Sequence, residues 1–218
     1  MLRLFSCFLL PCLLLAFEPR HTYLTFLEEK IHNSITITVH TDDLKEPLTL
    51  YFAGAGALKN RFKLKQNAGH FFKNRFLYHF HLQGLKPGEA YHFVLHHPTL
   101  GFSKIKKFKM PLTSSPSVQK PQNQPFAQTA GRLKRPLLRF VEGGDLERAE
   151  KAENLLRKAA ALDPEVFFLG GDYPPGIFSK KDYPQWDKWL DIIEKTMVTP
   201  QGFLIPLVLA SATMRPPS

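Results

Sequence analysis

The sequence predicts two domains, an all-β sandwich followed by a partial α/β unit of order β-α-β-α-β, and three observations point to it. Up to about residue 110, apolar and polar residues alternate in short runs, the period-2 signature of half-buried strands. From residue 137 onward, short apolar runs are separated by segments with a 3.6-residue period. Between them, residues 113–136 are rich in Pro, Ser and Gln and carry almost no apolar period, which reads as a semi-extended linker. Charge divides the same way. Residues 1–136 hold 19 Lys/Arg against 7 Asp/Glu, and residues 137–218 hold 10 against 12. The two parts therefore read as different modules, and 44% hydrophobic residues over 218 positions are enough to bury a core.

The chain opens with Met1-Leu2-Arg3 and an apolar run from Leu4 to Phe17. This has the basic start and apolar middle of an export signal, and it is too short to span a bilayer as a helix. Residues 1–17 are thus expected to be a signal peptide or N-terminal anchor, which places the protein in the periplasm, at the cell surface or outside the cell. The sequence around Ala16-Phe17-Glu18 is a poor cleavage site, which keeps the anchor reading open. Both cysteines, Cys7 and Cys12, lie in this leader, so the rest of the chain has no disulfide or cysteine-metal chemistry.

Residues 20–112 form the expected sandwich. Its strands are Tyr23–Phe26, Ile35–Val39, Leu48–Phe52, Phe76–Leu82 and Tyr91–Leu95, separated by Asp42-Asp43, Gly54-Ala55-Gly56 and Lys86-Pro87-Gly88. Lysine alternates with Phe62, Leu64, Ile105 and Phe108, which indicates two further strands with lysine-rich outer faces. The same lysines could meet anionic partners such as lipid headgroups or nucleic acid, although no nucleic-acid motif is present. All nine histidines fall between His21 and His97, and His79 and His81 share one strand face, as a solvated face would have them.

In the second part, Leu137–Val141, Val166–Leu169 and Phe203–Leu209 read as strands, the last weakened by Pro206. The first helix, within residues 146–162, places Ala149, Ala152, Leu155, Leu156, Ala159 and Ala160 on one face. The second starts at Pro184, a residue suited to a first helical turn, and places Trp186, Trp189, Leu190 and Ile193 at i, i+3, i+4 and i+7. Such alternation implies a parallel sheet whose ligands gather at the carboxyl ends of the strands. Two Gly-Gly-Asp triplets, Gly143-Gly144-Asp145 and Gly170-Gly171-Asp172, sit at those ends. Two carboxylates on one rim repel unless a cation lies between them, so Asp145 and Asp172 are the candidate metal ligands. The competing reading makes them turn or helix-cap residues. A three-strand parallel piece also leaves edges and apolar surface open, so this part is expected to pack loosely while the sandwich folds alone.

Two resemblances sharpen these readings. Leu85-Lys86-Pro87-Gly88-Glu89-Ala90-Tyr91 resembles the tyrosine corner of fibronectin type III domains, which implies that the Tyr91 hydroxyl caps upstream backbone. Leu138–Asp145 and Leu162–Asp172 resemble the first two motifs of calcineurin-like metallophosphoesterases, and the leading sandwich narrows this to the purple acid phosphatase type. Residues 186–189 and 199–210 resemble the approach to that family's third motif.

The family resemblance implies phosphate-ester hydrolysis at a dinuclear centre of iron, zinc or manganese, with Asp145 on one metal and Asp172 bridging. The tyrosine expected three residues after the bridging aspartate is replaced by Pro175, with Tyr173 nearer, and Glu147 stands where many members place a histidine ligand. The third motif, Gly-Asn-His-Glu, should follow Ala210, where the chain instead reads Ser211-Ala212-Thr213-Met214-Arg215. A one-base change of frame converts one codon choice for this stretch into Ile-Gly-Asn-His-Glu. Residues 211–218 are therefore expected to be an out-of-frame tail. A gene sequence without Gly-Asn-His-Glu in a neighbouring frame would rule that out. With no histidine after His97, the expectation is a truncated, inactive phosphatase. The alternative is a secreted, non-catalytic binding protein that works through its basic sandwich.

Overall fold

The structure is a computed structural model and describes residues 17–26, 33–42, 46–54, 62–65, 70–72, 75–112, 138–144, 149–170 and 183–209. The first nine strands build an all-β sandwich of the fibronectin type III kind. One sheet contains β1 (His21–Thr25), β2 (Ser34–Asp42), β6 (Arg75–Gln83) and β5 (His70–Phe72), in that spatial order. The other contains β4 (Phe62–Lys65), β3 (Thr49–Gly54) and β7 (Ala90–His97), with β8 (Gly101–Phe102) and β9 (Lys106–Lys109) both on the outer side of β7.

Alternation sends Ile35, Ile37 and Val39 from β2, Tyr78, Phe80 and Leu82 from β6, and Phe93 and Leu95 from β7 into a common core. Each is almost fully buried, and burial of this kind stabilises by about 1.5–3 kcal/mol per large apolar side chain. The tyrosine corner forms: the Lys86 amide donates to the Tyr91 hydroxyl at 2.9 Å, and Gly88 takes φ 73°, a left-handed turn open to glycine.

The short strands β5 and β8 were not among the expected ones. Both are too brief to carry a period and are held by the longer strands beside them, β5 by β6 and β8 by β7.

The second part has the expected order, β10 (Phe140–Gly144), α1 (Ala149–Ala161), β11 (Val166–Gly170), α2 (Tyr183–Thr196) and β12 (Leu207–Leu209). The three strands are parallel neighbours, and both helices pack on one face. Ala152, Leu156, Ala159 and Ala160 of α1 and Trp189, Leu190 and Ile193 of α2 cover Phe167, Leu169 and Leu207. Leu155, expected on the buried face, is 64% exposed; it lies at the margin of the apolar stripe, which Leu156 and Ala159 centre instead. The third strand is three residues rather than seven. Pro206 has no N–H to give, and its carbonyl accepts from the Phe167 amide at 3.0 Å just before regular pairing begins.

The parts are less separate than their compositions suggest. β12 pairs in parallel with β1, Thr25 opposite Leu207, so one seven-stranded sheet runs β10-β11-β12-β1-β2-β6-β5 through the whole molecule. The edge at β12 that was expected to be open is therefore covered by the sandwich. The edge at β10 and the face opposite the helices remain uncovered by described residues: Phe140 is 55% exposed and meets half-buried Phe168 edge-on, with ring centres 5.5 Å apart. The expected linker, 113–136, and the expected tail, 211–218, lie outside the described residues, as does the leader up to residue 16.

Candidate functional site

The carboxyl ends of β10 and β11 lie side by side and in register. Phe140 faces Val166, Glu142 faces Phe168, and Gly144 faces Gly170 at the rim. Asp145 and Asp172, the candidate metal ligands, come just after this rim in sequence and lie outside the described residues, as do Glu147, Tyr173 and Pro175. The strands that carry the two triplets are thus brought together. Among the described residues no group of three His, Cys, Asp or Glu side chains could hold a metal ion.

The glycines of the rim differ in what they do. A Cβ on Gly144 would stand 1.9 Å from the Gly170 carbonyl oxygen, and that oxygen is backbone and cannot swing aside. A Cβ on Gly143 would meet only the Phe167 ring at 3.7 Å, and one on Gly170 would meet nothing within 4 Å. Glycine at 144 therefore allows the two strand ends to approach each other, a nearer cause than the approach of a ligand. Gly144→Ala should lower the unfolding free energy by about 2 kcal/mol or more, while Gly170→Ala should change it by less than about 1 kcal/mol. Urea midpoints of the two variants check this, and equal effects would refute the close approach.

Sequence reasoning missed a dense polar cluster among the described residues, which joins α2 to the sandwich. Asp187, Asp191 and Glu194 recur at helical spacing on α2 and face cations from the other part. Asp187 accepts from both Arg75 amines, at 2.5 and 3.0 Å, and also from Arg20. Glu194 accepts from Lys106 and from the Thr22 amide, the latter at 3.3 Å. His21, 1% exposed, places its two ring nitrogens 3.5 Å from Asp187 and 3.4 Å from Asp191. The acidic stripe at i, i+4 and i+7 was visible in the sequence, but most of its basic partners lie more than a hundred residues away and could not be matched to it.

Burial governs the titration of the histidines here. His40 is pushed down to about 3, first by desolvation and then by the neighbouring His21 and Arg75 charges. Desolvation also lowers His21, against the pull of Asp191 and Asp187. Burial alone would raise the Asp187 carboxyl, but Arg75 and Arg20 together outweigh it and hold the group below its usual range. Two strand-face histidines are structural: His79 and His81 stack with ring centres 6.4 Å apart, and their Nδ1 atoms bond the Thr38 and Thr36 hydroxyls at 3.1 and 3.0 Å.

No protein-family model matches the chain, and no curated protein does. Solved structures do resemble it. A structure of PhoD aligns with a TM-score of 0.57 at 11% identity over 88% of this chain, and purple acid phosphatase PPD1 from yellow lupin (Lupinus luteus) seeds aligns at 0.60 with 16% identity, also over 88%. The chain spans 38% and 34% of these two proteins. Likeness at such identity speaks to the fold: a sandwich with part of a phosphoesterase-like α/β domain after it, arranged in this order.

Proposed function

We propose that this chain is the leading portion of a metal-dependent phosphoesterase, with Asp145 and Asp172 as its first two metal ligands, and that it does not turn over as it stands. The observation that carries the reading is the in-register rim of β10 and β11, from which both Gly-Gly-Asp triplets issue. A fold shared with PhoD and a purple acid phosphatase over 88% of the chain supports it.

In an intact site a dinuclear centre of iron, zinc or manganese would activate water and polarise the phosphate ester. The chain's own contribution is the rim: Gly144 lets the strands close up, and the paired ladder sets how far apart the two strands end. Two carboxylates without imidazole make a weak, oxygen-only site, which is why the metal should bind loosely and the chemistry should be absent. The reading of residues 211–218 as an out-of-frame tail belongs to the same proposal, and the nucleotide sequence after the Ala210 codon tests it.

The direct test is metal binding and p-nitrophenyl phosphate hydrolysis with added iron, zinc and manganese. Weak binding that disappears in Asp172→Asn, with no hydrolysis, is the expected result. Metal-dependent turnover would overturn the claim of inactivity, and binding indifferent to Asp145→Asn and Asp172→Asn would overturn the site.

A further inference from the structure

On the outer side of the smaller sheet Leu204 covers β9, its amide donating to the Lys107 carbonyl at 2.8 Å, while the stretch before β9, residues 100–105, has a composition that an edge should avoid. β8 and β9 both pair with β7, but residues 103–105 leave the ladder between them. Ser103 takes over the neighbouring bonds: its amide donates to the Leu95 carbonyl at 2.8 Å and its hydroxyl accepts from the Leu95 amide at 3.0 Å. The next two residues are thrown outward, Lys104 with its side chain 77% exposed and Ile105 72% exposed. Phe102, 53% exposed, and Leu100, 39% exposed, stand just before them.

Bulges and lysines on an edge are ordinary guards against strand-to-strand association. An exposed Ile and Phe among them work against that purpose, so guarding the edge does not explain the pattern. Charge points in one direction. No Asp or Glu occurs between Glu89 and Glu142, while Lys104, Lys106, Lys107 and Lys109 succeed one another along this edge. Three of these have partners within the chain, Lys104 on Glu18, Lys106 on Glu194 and Lys107 over the Phe203 ring at 4.7 Å, and of the three Lys104 keeps its side chain 77% exposed.

A second observation converges on the same corner. The apolar run from Leu4 to Phe17 enters the described fold here: the Phe17 amide donates to the Phe102 carbonyl at 3.1 Å, its ring lies 5.5 Å from His97, and Glu18 pairs with Lys104. Phe17 is 3% exposed, so the end of the most apolar stretch in the sequence is fixed beside the exposed Phe102. Apolar side chains interleaved with lysine suit the boundary between headgroups and acyl chains, where apolar burial and attraction to anionic lipid act together.

We propose that the stretch 100–105 is a membrane-facing surface, with Leu100, Phe102 and Ile105 entering the headgroup region of an anionic bilayer and the exposed Lys104 holding the headgroups. The inference does not depend on the phosphoesterase reading. Sedimentation of the full chain with vesicles of phosphatidylcholine, alone or mixed with phosphatidylglycerol, tests it.

Binding should favour the anionic vesicles and weaken with salt, and Phe102→Ser/Ile105→Ser should reduce it by at least about tenfold. Lys104→Glu should erase much of the lipid preference. All three side chains are exposed, so thermal midpoints should stay near that of the parent and separate a lost surface from a lost fold. Failure to bind, or binding unchanged in the double variant because the leader alone carries it, overturns the proposal. Binding to RNA in place of vesicles overturns it as well.

Discussion

Asp187→Ala should be among the most damaging single substitutions in the molecule, lowering the unfolding free energy by about 3–5 kcal/mol. Arg75 is 6% exposed and its guanidinium is bonded by both oxygens of Asp187, so removing the carboxylate leaves a cation out of water without the partner that neutralises it. A typical domain has only about 5–15 kcal/mol to lose. Removing both charges together should be milder, because no orphan ion remains: Arg75→Met/Asp187→Ala should recover at least half of the loss. Urea midpoints of the single and double variants form the measurement. An Asp187→Ala chain within about 0.5 kcal/mol of the parent would show that the pair is a solvated contact.

Acid should loosen the same region through His40. Its folded value of about 3 lies below the value of about 6.5 expected for the unfolded chain. Between these limits the unfolded chain takes up a proton that the folded chain refuses, so stability is full above about pH 6.5 and is lost as pH falls toward about 3. At about 1.4 kcal/mol per pH unit, the loss between about pH 7 and pH 4 amounts to about 3 kcal/mol. His21 and Asp187 are both lowered and add in the same direction, Asp187 only toward the acid end. His40→Phe removes the largest contributor, so its plot of stability against pH should be much flatter over this window. An unchanged slope in that variant would assign the acid sensitivity elsewhere.

How much of this was legible in the sequence depends on the range over which each signal acts. Period-2 runs announced β2, β3, β6 and β7 because each is long enough to show alternation and buries one face against the other sheet. The corner at Lys86–Tyr91 was legible for the same reason, since donor and acceptor are five residues apart. The triplets at Gly143 and Gly170 were found because a strand end with glycines and a carboxylate after it is a local pattern. Their arrival at one rim needed only the rule that β-α-β units are parallel, while the pairing of Gly144 with Gly170 is set by the register of the two strands.

What escaped was set by partners far away in the chain. Nothing local in the sequence links Arg20, His21 and Arg75 in the sandwich to Asp187 on α2. Only folding shows that they neutralise one another. Pro206 marked β12 as a weak strand, but the apolar run around it did not show that regular pairing would begin only after it, at Leu207.

The shared sheet has a consequence for synthesis. β1 leaves the ribosome long before β12, its partner on one side. The sandwich can close early around local hairpins, but the edge of β1 must wait until Leu207 has been made before Thr25 finds it. Contacts of such long separation are slow to form and leave a strand edge exposed in the interval. A chain stalled anywhere before residue 207 would present that edge to its neighbours, which makes the joining of β1 to β12 the step of assembly most vulnerable to pairing between molecules.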